Sequence, residues 1–225
     1  MEFVQVPRNL IEDQAIGDKR VLVYLSISFS KWTGCKVDEL TTFCGYSADN
    51  RHSGSAGQQI RNIVAQLISR GYLTSHANQM RFTTFNDCFG AIYYDEFDKI
   101  MRTTKSTRVG DHRVNHAHLL LLLSCIRCYM THTTGAPQIY SNLLKRISEH
   151  IGISVRSISN CIRALEDLEI IHSEELPRYK DSNGNWHSNV RIFVNRQSRY
   201  NPNHTYDWQQ ETKRGINMIL ANQLS

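Results

Sequence analysis

At 225 residues, 40% of them hydrophobic, 21% charged and only four of them proline, the chain falls outside the disordered, collagen-like and disulfide-scaffold classes. It is long enough for one large domain or two small ones. A formal net charge of +5 and a pI near 8.9 lean toward anionic partners without deciding the matter, since many enzymes carry as much.

The first helical period opens at Asp18, a candidate N-cap, runs through Val21, Leu22, Leu25, Ile27 and Phe29 to Trp32, and is stopped by Gly34. A short second helix, Val37–Phe43, ends at Cys44-Gly45. A third begins near Ser55 and carries Ile60, Ile63, Val64, Leu67 and Ile68 on one face. Residues 72–75 and 80–85 have strand composition around the polar turn His76-Ala77-Asn78-Gln79, so the order is helix, helix, helix, hairpin.

The same order then repeats. Residues 113–130 form a long helix, 141–151 a second ending at Gly152, and 154–168 a third; Asn183-Gly184-Asn185 turns the chain before the strand 190–194. Ile60, Ile63, Val64, Leu67 and Leu73 fall on Ile158, Cys161, Ile162, Leu165 and Ile171 at one constant offset. The leading segments match as well: residues 3–6 and 91–94 both read as short strands, leading to Leu10-Ile11 and Ile100-Met101. The copies differ where variation is tolerated, in roughly ten extra residues at 48–57 of the first and in the longer hairpin loop 177–188 of the second. The expected fold is mainly α with small β-hairpins (α+β), as two tandem winged helix-turn-helix domains at 1–88 and 89–196. A tail follows at 197–225, with a short helix carrying Trp208, Thr212, Ile216, Ile219 and Leu220 that packs on a domain or on a second copy of the chain.

Residues 144–158 have the pattern of a helix-turn-helix: apolar residues lock two helices, Gly152 permits the tight turn and Ser154 caps the helix that follows. Beyond that cap, Arg156, Ser157, Ser159, Asn160 and Arg163 can bond base edges and phosphates once the helix lies in a major groove; a solvated structural helix would expose the same residue types. The matching surface of the first copy carries Gln58, Gln59, Arg61 and Asn62 after Ser55, with Arg51 and His52 in the insert, and suits either DNA reading or dimer contact. The second hairpin offers Arg178, Lys180, Asn183, Asn185, Trp186, His187 and Arg191 as a wing that follows the phosphate backbone or enters a minor groove, with Glu174, Glu175 and Asp181 diluting the charge; a mobile loop is the alternative.

The opening Phe3-Val4-Gln5-Val6-Pro7-Arg8-Asn9-Leu10-Ile11, followed by Asp18-Lys19-Arg20-Val21-Leu22-Val23-Tyr24-Leu25, resembles that of replication initiators from plasmids and phages of Gram-positive bacteria. The resemblance covers mainly the first domain and implies a winged helix that binds origin DNA; the insert at 48–57 departs from the pattern. The expected partners are double-stranded DNA, a second copy of the chain as a homodimer, and other replication proteins. A transcription regulator of the same fold and a replication adaptor that touches no nucleic acid are the alternatives.

Cys125-x-x-Cys128, with His112, His116, His118 and His132 nearby, has half of a zinc spacing but sits in an apolar helix without a second pair, so core thiols are expected and no metal or cofactor. No Gly-x-Ser-x-Gly elbow, phosphate-binding glycine loop or His-Glu-x-x-His helix occurs, and no catalysis is expected. The apolar run 119–123 is far shorter than the roughly 20 residues of a membrane span. With no cleavable signal pattern at residues 1–10, the six cysteines are expected to be reduced, in a cytoplasmic protein without membrane contact.

Overall fold

The protein is described by a computed structural model covering residues 3–31, 36–47, 54–76, 79–83, 88–106, 115–129, 138–140, 143–175, 179–180, 184, 186–187 and 190–194. Strand β1 (Phe3–Pro7) alternates, with Val4 and Val6 buried and Phe3 and Gln5 exposed. A short helix α1 (Arg8–Glu12) and a 3-10 turn at Gln14–Ile16 lead into α2 (Arg20–Ser30), which is buried nearly all round and therefore central. Asp18 does not cap α2: Lys19 holds the N-cap position with no side-chain bond, and the Asp18 carboxylate instead accepts from His118 Nε2 at 3.0 Å. The helix ends where Lys31 turns left-handed (φ 53°), ahead of Trp32 and Gly34, which lie outside the described residues.

Helix α3 (Val37–Phe43), α4 (Ala56–Ser69) and the hairpin of β2 (Leu73–His76) with β3 (Gln79–Phe82) complete the first unit. The chain returns through β4 (Phe89–Tyr93) and α5 (Tyr94–Ser106) to α6 (His116–Tyr129), then β5 (Gln138–Tyr140), α7 (Leu143–Ile151), α8 (Val155–Asp167) and β6 (Ile171–Glu175). The short strands β7 (Tyr179–Lys180) and β8 (Trp186–His187) extend the second hairpin, which closes with β9 (Val190–Val194). The fold is mainly helical with small antiparallel sheets, α+β as expected. β5 adds to β9 on the side away from β6, making a three-stranded sheet that sequence periodicity does not reveal.

Helices α4 and α8 end in the same way. In the first unit Arg70, Gly71 and Tyr72 donate their amides to the Gln66, Ile68 and Leu67 carbonyls; in the second, Leu168, Glu169 and Ile170 donate to Ala164, Glu166 and Leu165, the same three bonds at equivalent positions. Gly71 (φ 77°) and Glu169 (φ 55°) are the left-handed residues of these two caps. Ser26 of α2 and Ser124 of α6 are both fully buried.

The two units are not beads on a string. β1 pairs antiparallel with β4, with Val4 opposite Ile92. α6 packs on both β4 and α2, and one hydrophobic cluster runs from Val4 to Val194 through both units. Gly90 permits this: a Cβ there would meet the Ser124 carbonyl oxygen of α6 at 2.2 Å.

Candidate nucleic-acid interface

The predicted helix-turn-helix is present as a local structure. α7 buries Ile147 and Ile151, Gly152 takes φ 76°, Ile153 is buried, and Ser154 Oγ accepts the Ser157 amide at 3.2 Å to cap α8. The first unit secures this turn. Gln14 Nε2 donates to the carbonyl of Glu149 and, at 3.1 Å, to that of His150, and its amide lies so close to Gly152 that a Cβ there would stand 2.9 Å from Gln14 Oε1. Arg20, 1% exposed, donates from Nη2 to the Ile151 carbonyl at 3.1 Å while its other nitrogens hold Leu10, Ile11 and Gly17. A guanidinium thus occupies the carbonyl ends of α1 and α7, where a cation is favoured.

The far end of α8 is tied as well. Lys99 of α5 donates to the Leu168 carbonyl, and Glu166 accepts the Ser173 amide at 2.7 Å and its hydroxyl at 2.5 Å, fixing α8 to β6. Ile158, Cys161, Ile162, Ala164 and Leu165 face the core. On the opposite side Arg156, Asn160 and Arg163 stand at helical spacing with Ser157 and Ser159 beside them, and both arginines are exposed. Ser154 and Ser157 share a hydroxyl bond of 2.9 Å, and Ser159 Oγ donates back to the Val155 carbonyl at 3.1 Å. Arg156 lies in the first turn and Arg163 past the middle of the helix, whereas Glu166 and Asp167 end it and Glu169 follows the cap. This polarity runs against the helix dipole, which favours acids at the start and bases at the end by about 0.3–1 kcal/mol each.

The rest of the predicted surface divides. Lys180 is exposed on β7, and exposed Lys145 and Arg146 add charge on α7. Arg191 lies in β9 opposite Tyr140 and Glu174; Arg178 lies outside the described residues. On α4 the side chains are engaged with one another: Gln58 Nε2 donates to Asn62 Oδ1 at 2.9 Å, Arg61 reaches Gln58 Oε1 at 3.4 Å, and Gln59 donates to the Gly54 carbonyl at 2.9 Å while accepting from Lys19. Arg51 and His52 of the insert, and the tail 197–225, lie outside the described residues.

Sequence reading missed the braces, Gln14, Arg20 and Lys99, because each acts across more than 60 residues of chain. The one available signal was Arg20 at the head of an otherwise apolar helix.

The thiols sit in apolar surroundings: Cys44, Cys125, Cys128 and Cys161 are buried and Cys88 is exposed. Burial pushes the Cys44 and Cys161 thiols up to about 12, so both stay protonated at neutral pH. His116 bonds the Cys44 carbonyl and His118 bonds Asp18; among the described residues no group of three or more His, Cys, Asp or Glu side chains is arranged for a metal ion, and no helix is long and apolar enough to cross a membrane. Compared with models of protein families, with curated proteins and with solved structures, the chain matches none of them.

Proposed function

We propose that the protein binds double-stranded DNA in a sequence-dependent way, through two tandem winged helix-turn-helix units of which the second reads the major groove. The observation that carries this reading is the charge polarity of α8. A helix whose first turn bears Arg156 and whose last turn holds Glu166 and Asp167 is poorly arranged for its own stability, and well arranged to present its positive end and its donors to phosphates and base edges. Arg156 and Arg163 bond guanine edges or phosphates, Asn160 suits adenine, and Lys180 on the hairpin contacts the backbone. In the first unit α4 has its amides bonded to one another, which favours an assisting or dimer-forming role. Action at a replication origin rests on the resemblance of the opening segment to plasmid and phage initiators.

Purified protein is incubated with random and genomic DNA fragments at two salt concentrations, and the bound fragments are sequenced. A repeat or palindrome recovered with steep salt dependence supports the reading, and its location at an origin or a promoter separates initiator from regulator. Arg156→Ala with Arg163→Ala is expected to weaken binding to the recovered site at least tenfold, on the basis of about 1–3 kcal/mol per arginine contact. Unchanged affinity removes α8 from the mechanism, and absence of binding at low salt leaves the adaptor.

A further inference from the structure

A cavity of about 260 Å³ opens between β1, α2 and the end of β3. Phe3, Phe82 and Phe89 wall it together with Pro7, and Tyr24 and Ser28 line it from α2. These two are four residues apart and so share one face of the helix. Tyr24 is 2% exposed, and its ring meets Phe82 edge-on at 4.9 Å, which holds it in place. Its hydroxyl has no hydrogen-bond partner among the described residues and, unlike that of Tyr46, is not sealed from solvent, so it faces the cavity. The half-buried Ser28 hydroxyl is likewise without a partner there. By contrast, Tyr72 and Tyr129 bond Asp13 and Glu12, and Thr83 on the cavity wall donates to the Gly71 carbonyl. Burial pushes the Tyr24 phenol up, so its hydroxyl keeps the proton and both donates and accepts.

We propose that this cavity is a binding site for a small neutral aromatic molecule, of one ring or two fused rings with a single hydrogen-bonding group. Its ring lies among Phe3, Phe82 and Phe89, and its polar group bonds the Tyr24 and Ser28 hydroxyls. Apolar aromatic walls with a few convergent polar groups are what such a ligand requires. The size agrees: an apolar cavity of about 150 Å³ takes up benzene, and the 260 Å³ here leaves room for a substituent or a second ring. None of the described lining residues carries a charge, so nothing compensates an ionised ligand for the water it would lose. The site is independent of the DNA-reading role of α8. An occupant would touch β1, α2 and β3 at once and so stabilise the first unit.

The full chain is titrated with phenol, indole and benzamide by isothermal titration calorimetry, and its melting temperature is followed with each. Saturable one-to-one binding of at least one probe is expected, in the millimolar range or tighter as suits so few non-hydrogen atoms, with a higher melting temperature. Benzoate, the charged counterpart of benzamide, is expected to bind about tenfold weaker than benzamide or not at all. Tyr24→Phe removes one oxygen and keeps the ring, and is expected to weaken binding about three- to tenfold, the worth of one net hydrogen bond. Ser28→Leu fills the cavity and is expected to abolish binding; circular dichroism without ligand checks that both variants are folded, and Tyr24→Phe carries the test if Ser28→Leu is not. Absence of saturable binding by all three probes, or an affinity that Tyr24→Phe leaves unchanged, overturns the inference.

Discussion

Arg20 shows how much of this fold depends on one side chain. Burial lowers its pKa to about 10, Asp13 and Asp18 oppose that shift, and the guanidinium stays charged at neutral pH. Its side-chain bonds to Leu10, Ile11, Gly17 and Ile151 tie carbonyls of α1, the following turn and α7 together through one guanidinium. Arg127 plays the parallel part inside α6. It grips Glu96 through two bonds of 2.6 Å and donates to the Ala91 carbonyl at 2.7 Å, joining α6 to β4 and α5. Glu169 is the opposite case, a residue at odds with its backbone. It holds φ 55° where the first unit uses Gly71, and a side chain in the left-handed region costs roughly 1 kcal/mol. Glu169→Gly is expected to stabilise the protein by about 0.5–1 kcal/mol, read as a higher melting temperature in differential scanning calorimetry. An unchanged or lower value would mean that the side chain contributes more than its backbone strain costs.

At the scale of the element, α4 and α8 begin and end alike and differ in their exposed faces. Both start at a serine cap, Ser55 and Ser154, and both end in the same set of amide bonds. α4 runs 14 residues and α8 13, so the cap of α4 sits one residue further out and its first turn holds Ala56 and Gly57. α8 carries Arg156 in its first turn and Glu166 and Asp167 in its last. That arrangement makes a trade-off measurable. Arg156→Glu places an acid in the first turn of α8, where the dipole favours it by about 0.3–1 kcal/mol. The melting temperature is expected to hold or rise slightly while affinity for the recovered DNA site falls more than tenfold, measured by fluorescence anisotropy. A fall in both would make Arg156 a structural residue, and unchanged affinity would take it off the DNA surface.

For the whole molecule, the decisive contact is between the halves. β1 pairs with β4, and α6 lies against β4 at a closeness that the missing side chain of Gly90 allows. Gly90→Ala puts a Cβ into the Ser124 carbonyl of α6, backbone against backbone, with no flexible side chain to yield. It is expected to destabilise the whole protein by about 1–3 kcal/mol in chemical denaturation, lowering the midpoint for both units together since one core runs through them. Two separate transitions, with only the second shifted, would mean that the halves fold independently. The clamp of Gln14 and Arg20 on the α7–α8 turn has the same consequence: α8 is positioned by residues from the start of the chain.

Much of this was legible in the residues themselves, and the reason is physical. Apolar periods of α2, α3, α4, α6 and α8, the caps at Ser55 and Ser154, the turn at Gly152 and the strand β9 are local choices, made by side chains within a few residues of one another. The exposed face of α8 followed from the same period, because what does not face the core faces water. Other features are long-range. β5 is three residues long, too short to show a period, and exists by its bonds to β9. Asp18 suits an N-cap by type, but bonding to His118 from α6 draws its carboxylate away. The β1–β4 pairing, the Gly90 contact and the braces Gln14, Arg20 and Lys99 join residues far apart in the chain. Only the packed structure decides these, because a buried carbonyl is satisfied by whichever donor the fold brings within reach.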